Sequence, residues 1–167
     1  FCKDGEYAGR VVIPSFNENG YANYYVARSY GSEWPKYKNP PASRDIIFNE
    51  LYVNWNEDLV IVEGVFDAIK AGNGIPLLGS TLREGSALFQ AIVKNGNRVY
   101  LALDEDASKK TRSIIRLLQR YGVEVYEVDT SGVEDVGDMS KKDFQSRKDN
   151  AAIVEKDNYL LQRLFAI

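Results

Sequence analysis

Two carboxylates stand at the end of an apolar stretch in the middle of the chain, in the segment Asp104-Glu105-Asp106. Residues 98–103 before them are mostly aliphatic, β-branched or aromatic and predict a buried strand. Acids are costly to bury unpaired, and a divalent cation such as Mg²⁺ is one partner that offsets this cost. If the chain stays extended through Asp106, both aspartates point to the same side and can share the cation. The alternative is that these acids only cap the helix that follows.

The rest of the composition narrows the available chemistry. Among 167 residues there is no histidine and a single cysteine, Cys2. This excludes Ser-His-Asp and Cys-His catalysis, an internal disulfide, and zinc fingers of the usual ligand sets. An enzyme with this composition must use carboxylates, lysines, arginines, hydroxyls or a metal ion. Oxygen ligands without Cys or His favour Mg²⁺ or Mn²⁺ over zinc.

The overall composition is that of an ordinary globular domain, with 44% hydrophobic and 27% charged residues. No apolar run approaches the roughly 20 residues needed to span a bilayer, and the N-terminus does not resemble a signal peptide. We therefore expect a cytoplasmic protein with no membrane contact. The chain begins with Phe1 rather than Met, which suggests a piece of a longer polypeptide or a processed chain.

Charge is unevenly distributed along the chain. The net charge of -3 argues mildly against binding nucleic acid through bulk electrostatics. Residues 36–44 contain three basic residues and no acid, whereas acids concentrate in residues 124–138. Five more basic residues fall in one predicted helix: Lys109, Lys110, Arg112, Arg116 and Arg120. Such segregation allows a phosphate-binding side and a metal-binding side, although a solvated surface is the simpler explanation of the helix.

The first third of the chain predicts a hairpin and a basic loop. Residues 10–16 and 22–30 are strand-like, and the Asn-Gly between them is a strong hairpin signal. Pro14 inside the first strand indicates an edge strand or a bulge. Residues 31–43 are loop-like and contain three prolines, and residues 44–52 have apolar side chains at helical spacing, which predicts a helix.

From Leu59 onward, strands and helices alternate. The predicted strands are 59–62, 75–78, 98–103 and 123–128. The predicted helices are about 64–71, 85–94, 108–121, 140–147 and 151–165. Continuous apolar strands joined by helices are typical of a parallel sheet covered on both faces. The sequence therefore predicts an α/β fold, with a parallel sheet of about four strands preceded by a small mixed α+β subdomain. The expected divisions are 1–56, 57–148 and a C-terminal helix within 149–167.

Acidic residues follow three of these four strands. Glu63 follows the first, Asp104 and Asp106 follow the third, and Asp135 and Asp138 lie in the loop after the fourth. The carboxyl ends of parallel strands meet at one edge of the sheet, where ligands bind in such folds. Carboxylates gathered there repel one another without a cation, so this location favours one or two Mg²⁺ ions.

Two neighbours of Glu63 are candidates for supporting this metal site. Gly64 allows the backbone to turn tightly next to the metal. Asp67 follows one helical turn later, where two roles are open: it either supports the ligands from a second layer or only interacts with the helix N-terminus.

Three ordered motifs resemble a known domain: Glu63-Gly64-Val65-Phe66-Asp67, Gly79-Ser80-Thr81 and Asp104-Glu105-Asp106. Together they are similar to the TOPRIM domain shared by bacterial and phage DNA primases, topoisomerases and some nucleases. In that family a strand-end Glu-Gly and a downstream Asp-x-Asp hold the catalytic metals. The resemblance thus implies that Glu63, Asp104 and Asp106 are catalytic metal ligands.

Other segments narrow the resemblance to DnaG-type primases, over about residues 8–145. A strand ending in Ala27-Arg28, followed by Pro-Lys-Tyr-Lys-Asn-Pro at 35–40, resembles the segment before TOPRIM in primases, where an Arg and a Lys-Tyr pair contact nucleotide or template. This implies binding roles for Arg28, Lys36, Tyr37 and Lys38. Residues 135–139 look like the primase acidic loop, with Val-Gly in place of the usual proline and tighter spacing. Which of Asp135 and Asp138 contacts metal stays open.

The resemblance implies the catalytic core of a DNA primase, a Mg²⁺- or Mn²⁺-dependent nucleotidyltransferase that makes RNA primers. The implied partners are single-stranded DNA template, ribonucleoside triphosphates and a replicative helicase. Two alternatives remain. One is a TOPRIM nuclease or related phosphohydrolase that uses the same carboxylates to activate water, and the other is a non-catalytic module that binds nucleic acid or nucleotides.

Overall fold

The computed structural model of the protein describes residues 1–133 and 135–155. The chain divides into two units, Phe1–Val53 and Asn54–Ile167. The first is built on an antiparallel hairpin and the second on a mostly parallel sheet. None of the helices in the described residues is long and apolar enough to cross a membrane.

The hairpin of the first unit follows the Asn-Gly signal. Strand β1 (Arg10–Phe16) pairs with β2 (Ala22–Ser29), and the Gly20 N–H donates to the Asn17 carbonyl at 2.9 Å to close the turn. Gly20 has a φ of 80°, a conformation that residues with a side chain rarely adopt. Pro14 is tolerated within β1 because, in the part that the structure describes, this sheet has only two strands and each is an edge.

The helix predicted over residues 44–52 is wrong, because only Glu50–Tyr52 form a single 3-10 turn. Asn49, just before this turn, has a left-handed backbone with φ 55°. Its side chain accepts the Phe16 N–H at 3.2 Å, and its own N–H donates to the Ser15 hydroxyl at 2.9 Å. These bonds attach the segment to β1 and replace the helical hydrogen bonds. Two of its apolar side chains are buried all the same, so the pattern reflects burial without a helix.

The second unit alternates strands and helices. Its strands are β3 (Leu59–Val62), β4 (Gly74–Pro76), β5 (Val99–Ala102), β6 (Val125–Glu127) and β7 (Ala152–Ile153). Its helices are α1 (Val65–Ala71), α2 (Ala87–Asn95), α3 (Ser108–Arg120) and α4 (Lys141–Asp149). The strand order is β4-β3-β5-β6-β7, with the first four parallel and β7 antiparallel to β6. The predicted α/β class is confirmed, with one added antiparallel edge strand.

Strand β3 is covered on both faces, since none of its four side chains is exposed. Val60 and Val62 lie in an apolar cluster with Ala71 of α1 and Phe144 of α4. The other two residues of β3 point to the opposite face, because side chains alternate along a strand. A sheet buried on both sides explains why β3 is a continuous apolar run.

The helix predicted within residues 149–167 is wrong where the structure describes that segment. The chain leaves α4 and forms β7, after which the Val154 N–H donates to the Val125 carbonyl at 2.8 Å. The side-chain amide of Gln119 in α3 donates to the Val154 carbonyl. These bonds draw the chain along the edge of the sheet. The remainder of the predicted helix, residues 156–167, lies outside the described residues.

Gly74 lies where β4 passes close to α1. A Cβ at this position would lie 2.8 Å from the Cα and from the carbonyl oxygen of Ala68, both of which are backbone atoms. We expect Gly74→Ala to lower the free energy of unfolding by about 1–3 kcal/mol, since the helix must shift to make room. Urea unfolding followed by circular dichroism measures this loss.

Gly85→Ala is the matched control for this substitution. No atom of the described chain lies within 4 Å of the added Cβ, and Gly85 does not have a positive φ. Its stability is expected to change by no more than about 0.5 kcal/mol. Equal losses in the two variants would contradict a specific contact between α1 and β4.

Candidate active site at the carboxyl ends of the strands

Glu63 follows β3 directly and carries a largely buried carboxylate, with 17% of the side chain exposed. Its Oε2 accepts a hydrogen bond from Lys110 Nζ of α3 at 2.5 Å. Its Oε1 is buried and has no hydrogen-bond partner among the described residues. A buried ionised oxygen without a partner costs free energy, so this end of β3 is suited to a cation or a further donor.

Asp104 follows β5 with an extended backbone, and its Oδ1 is likewise buried without a partner in the described part of the chain. The chain does not stay extended through Asp106, the condition for the two aspartates to point to the same side, because residues Glu105–Ala107 form a 3-10 turn. The Ala107 N–H donates to the Asp104 carbonyl at 2.9 Å and closes this turn. Asp106 is therefore exposed instead of lying beside Asp104 in register.

The acids of three loops act on Asp104. Burial, as the largest cause, and repulsion from Asp135, Glu63 and Asp106 together raise the pKa of the Asp104 carboxyl to about 6, whereas Lys110 opposes this shift. Carboxylates that follow three parallel strands thus act electrostatically on Asp104, so this edge of the sheet is negatively charged. That they hold a metal ion stays a prediction.

Asp67 of α1 connects two of these loops and is 4% exposed. Its Oδ2 accepts the Gly64 N–H at 2.8 Å, and its Oδ1 accepts the Gly137 N–H at 2.9 Å. Burial and a side-chain hydrogen bond with Asp135 raise the pKa of Asp67 to about 7. Asp67 therefore caps the start of α1 and also holds the acidic loop against the turn after β3, so its contacts are not limited to the helix N-terminus. Its support of metal ligands stays a prediction.

Within the acidic loop, Asp135 is the residue that lies next to the other carboxylates. Its Oδ1 accepts the Gly137 N–H at 2.8 Å and caps the 3-10 turn Val136–Asp138. Val136 is buried in the apolar cluster of the sheet, which fixes the loop in place. Asp138 is exposed. Of the two aspartates left open by the sequence, the geometry favours Asp135.

The residues predicted to contact nucleotide or template lie in the first unit. Arg28 of β2 places its guanidinium over the Tyr37 ring, 5.8 Å from the centroid. Lys38 pairs with the Glu6 carboxylate at 2.9 Å and lies over the Tyr7 ring at 5.2 Å. The structure thus brings Arg28 and Tyr37 together, while Lys38 is engaged by an acid that the sequence prediction did not consider.

Lys36 lies on an exposed loop whose backbone is fixed. Its carbonyl accepts the Ser29 N–H at 2.8 Å and the Arg10 guanidinium at 3.3 Å. Its side chain is exposed, and nearby Trp34 is 89% exposed. An exposed cation and an exposed ring on a fixed loop are suited to phosphate and base contacts.

No protein-family model matches the chain. The chain is 29% identical over 154 residues to a DNA primase from Thermotoga maritima, which covers 82% of the chain and 27% of the relative. It is 32% identical over 137 residues to a DNA primase from Halalkalibacterium halodurans, which covers 71% of the chain and 22% of the relative. The chain therefore spans only about a quarter of the length of these curated relatives.

The fold is similar to the zinc-binding and RNA polymerase domains of Aquifex aeolicus primase. The TM-score is 0.71 at 25% identity, over 89% of the chain and 41% of that structure. A DnaG primase catalytic domain bound to single-stranded DNA gives a TM-score of 0.71 at 19% identity, over 89% of the chain and 53% of that structure. The chain contains a DnaG-type primase domain.

The carboxylate oxygens in the acidic region of the primase domain are suitable ligands for a divalent cation. In residues 1–133 and 135–155, no three Asp, Glu, Cys or His side chains are grouped closely enough to hold one ion as they stand. The unpartnered buried oxygens of Glu63 and Asp104, however, are hard ligands at adjacent strand ends. Burial and, next, repulsion from neighbouring acids raise the pKa of Asp104, and a bound cation would relieve that repulsion.

A cavity of about 390 Å³ opens beside Asp104 in the primase domain. It is lined in part by Asp104, Glu105, Ser108, Thr111, Thr130 and Ser131. The sequence prediction misses this cavity. The signal that could have indicated it is a set of hydroxyl residues, Ser108 and Thr111 at the start of α3 and Thr130 and Ser131 after β6. These two segments follow the neighbouring parallel strands β5 and β6 and therefore lie at the same edge of the sheet.

We expect Asp67 and Asp104 to titrate near pH 7 and pH 6 in the metal-free primase domain, against an ordinary value of 3.8. The folded protein holds these two protons more tightly than the unfolded chain. Their contribution to the free energy of unfolding therefore falls as the pH rises from about 4 to about 7. Carboxyl ¹³C NMR in EDTA measures the midpoints.

Asp129 is the internal reference for this titration, because hydrogen bonds from Ser131 hold its pKa below the ordinary value. Midpoints below pH 5 for both Asp67 and Asp104 would contradict the crowding of carboxylates described above.

Proposed function

We propose that this chain is the catalytic core of a DNA primase, which joins ribonucleotides into short RNA primers on a single-stranded DNA template. The observation that carries the proposal is the group of strand-end carboxylates with buried, unpartnered oxygens on Glu63 and Asp104. In this proposal the second unit is a TOPRIM domain. Ribonucleoside triphosphates and single-stranded DNA are the substrates, and a replicative helicase is the partner expected at the replication fork.

In the proposed site, Glu63, Asp104 and Asp106 hold Mg²⁺ or Mn²⁺, and Asp135 completes the set with Asp138 at its exposed end. Bound divalent cations stabilise the attacking and leaving oxygens of nucleotidyl transfer. The chain contributes rigid placement, because β3 and β5 are neighbouring parallel strands in the middle of the sheet.

The supporting residues of the proposed site keep these acids in place. Asp67 bonds the Gly64 N–H at the turn after β3 and the Gly137 N–H of the acidic loop. This leaves both segments with satisfied backbone donors, so the carboxylates next to them have a defined position. Partners of this kind typically change metal affinity by about 10–100-fold when they are removed.

The basic residues of the first unit bind phosphate groups of the nucleotide or template in this proposal. The Arg28 guanidinium lies over the Tyr37 ring, and Lys36, the residue before Tyr37, is exposed. The Lys38 pair with Glu6 is exposed, and such pairs contribute only about 0–1 kcal/mol, so Lys38 can exchange the carboxylate for a phosphate at little cost. Contacts of this type position nucleic acid without selecting its sequence.

The test is primer synthesis by the purified chain on single-stranded DNA with ribonucleoside triphosphates and Mg²⁺ or Mn²⁺. Short RNA products, from dinucleotides upward, are expected, and they should disappear in EDTA. Cleavage of DNA without RNA synthesis would overturn the proposal in favour of a nuclease with the same carboxylates. Binding of nucleotides or DNA without either reaction would favour a non-catalytic module.

A further inference from the structure

Lys110 holds the catalytic candidate Glu63 through a partly buried ion pair. The side chains of Lys110 and Glu63 are 27% and 17% exposed. By comparison, the Lys38 pair with Glu6 and the Arg98 pair with Asp58 each include a side chain that is at least half exposed. A partly buried pair is screened less by water and salt than an exposed one, so Lys110 acts strongly on Glu63.

The helix itself does not explain a lysine at this position. Lys110 lies in the first turn of α3, and this turn contains no acidic residue. The residue before the helix, Ala107, has no side-chain acceptor that could cap it. A cation near the positive end of the helix dipole is unfavourable, and Lys109 adds a second. The energetic benefit of Lys110 at this position therefore comes from the carboxylates that it faces and not from the helix.

The ammonium group neutralises only part of the acidic region. Lys110 lowers the pKa of Asp104, while Asp135, Glu63 and Asp106 raise it. Glu63 Oε1 and Asp104 Oδ1 stay without a partner among the described residues even with Lys110 in place. The single ammonium group of Lys110 therefore neutralises only part of the negative charge of these carboxylates, and a divalent cation would neutralise more.

We propose that Lys110 is a built-in counter-cation that occupies the Glu63 carboxylate in the metal-free protein and must leave it when a divalent cation binds. This inference rests on the metal site of the proposed function. It explains why no three acids in residues 1–133 and 135–155 are grouped around one point, since Glu63 is held by Lys110. Lys110 is a positioning residue here: it keeps a buried carboxylate satisfied before the cation arrives and weakens the binding of the cation.

The test is a Mn²⁺ titration, followed by calorimetry, of the wild type, Lys110→Met and the control Lys109→Met. Lys109 is the exposed neighbour of Lys110 on the same helix turn. Lys110→Met is expected to bind Mn²⁺ about tenfold more tightly than the wild type, because binding no longer breaks the ion pair. Lys109→Met is expected to bind as the wild type does.

Thermal unfolding gives a second readout with the opposite sign. In EDTA, Lys110→Met is expected to melt below the wild type, because Glu63 is left buried without its cation. With saturating Mn²⁺, the difference is expected to disappear or reverse. If Lys110 had only a structural role, its replacement by Met would lower both the stability and the metal affinity. Lower stability in EDTA together with tighter Mn²⁺ binding therefore distinguishes the two roles.

Unchanged or weaker Mn²⁺ binding by Lys110→Met would overturn the inference. If that variant does not fold, Lys110→Arg serves instead. Its guanidinium keeps the charge and pairs well with carboxylates, so its Mn²⁺ affinity should equal or fall below that of the wild type, and tighter binding would refute the role.

Glu63→Gln separates this inference from the proposed function beneath it. If Glu63→Gln abolishes Mn²⁺ binding but Lys110→Met does not tighten it, only the role of Lys110 fails. If the wild type binds no Mn²⁺, or Glu63→Gln binds it equally well, the metal site fails and the inference fails with it.

Discussion

Glu63→Gln and Asp104→Asn are each expected to lower primer synthesis by about 100-fold or more while leaving the protein folded. Each change removes one negative charge and one hard oxygen ligand but keeps the size and shape of the side chain. Glu63 directly follows β3, and Asp104 follows Leu103 after the end of the neighbouring strand β5, so the sheet holds the backbone on which each ligand is placed. Incorporation of labelled ribonucleotide into short RNA on single-stranded DNA measures the loss.

Glu105→Gln is the matched control for these two variants. Glu105 lies between Asp104 and Asp106 but is exposed, and it serves in our interpretation only to space them. Its activity is expected to stay within about twofold of the wild type, because an exposed charge at this position is well screened by solvent. An equal loss in Glu105→Gln, or full activity in Asp104→Asn, would contradict the assignment of the site.

Phe144→Ala is expected to lower the free energy of unfolding by about 3–5 kcal/mol, the largest stability effect that we predict. Phe144 is 1% exposed and is the side chain by which α4 packs on the sheet. It lies in the same cluster as Val60 and Val62 of β3 and Val136 of the acidic loop. Removing the ring leaves a cavity that surrounding β-strands cannot close, because their backbones are held by the sheet.

Urea unfolding measures this effect, with Gln145→Ala as the control on the exposed face of the same helix. The control is expected to change stability by no more than about 0.5 kcal/mol. Because Val136 shares the cluster, Phe144→Ala should also weaken Mn²⁺ binding by the acidic loop. A loss below 1 kcal/mol would show that α4 contributes little to the core.

The local sequence pattern was sufficient to predict a strand, turn or helix where burial or a short-range interaction determines that element. The run at 59–62 is buried on both faces, so its continuous apolar character predicts the interior strand β3 without any knowledge of its neighbours in the sheet. The Asn-Gly turn and the hydrophobic periodicity of α3 are equally local, since each depends on residues a few positions apart. These signals are sufficient for the α/β class and for the strand ends that carry Glu63 and Asp104.

The predictions failed where distant contacts outweigh local preference. Residues 44–52 have helical spacing, yet Asn49 bonds to β1 residues 33 and 34 positions away, and the helix does not form. The segment after α4 is drawn into the sheet by pairing with β6, which no local signal in it indicates. Asp106 is a different case, because a local 3-10 turn that starts directly after Asp104 takes it out of register.

The sequence by itself determined the order of strands and helices from β3 to α4 and the position of acids after three of the strands. Those features follow from burial and from the geometry of parallel sheets, which repeat at short, readable intervals. Only the tertiary structure decided which charged groups meet. Lys110 reaches Glu63 across 47 residues and Asp67 reaches Gly137 across 70, and such pairings have no sequence period because they depend on how whole elements pack.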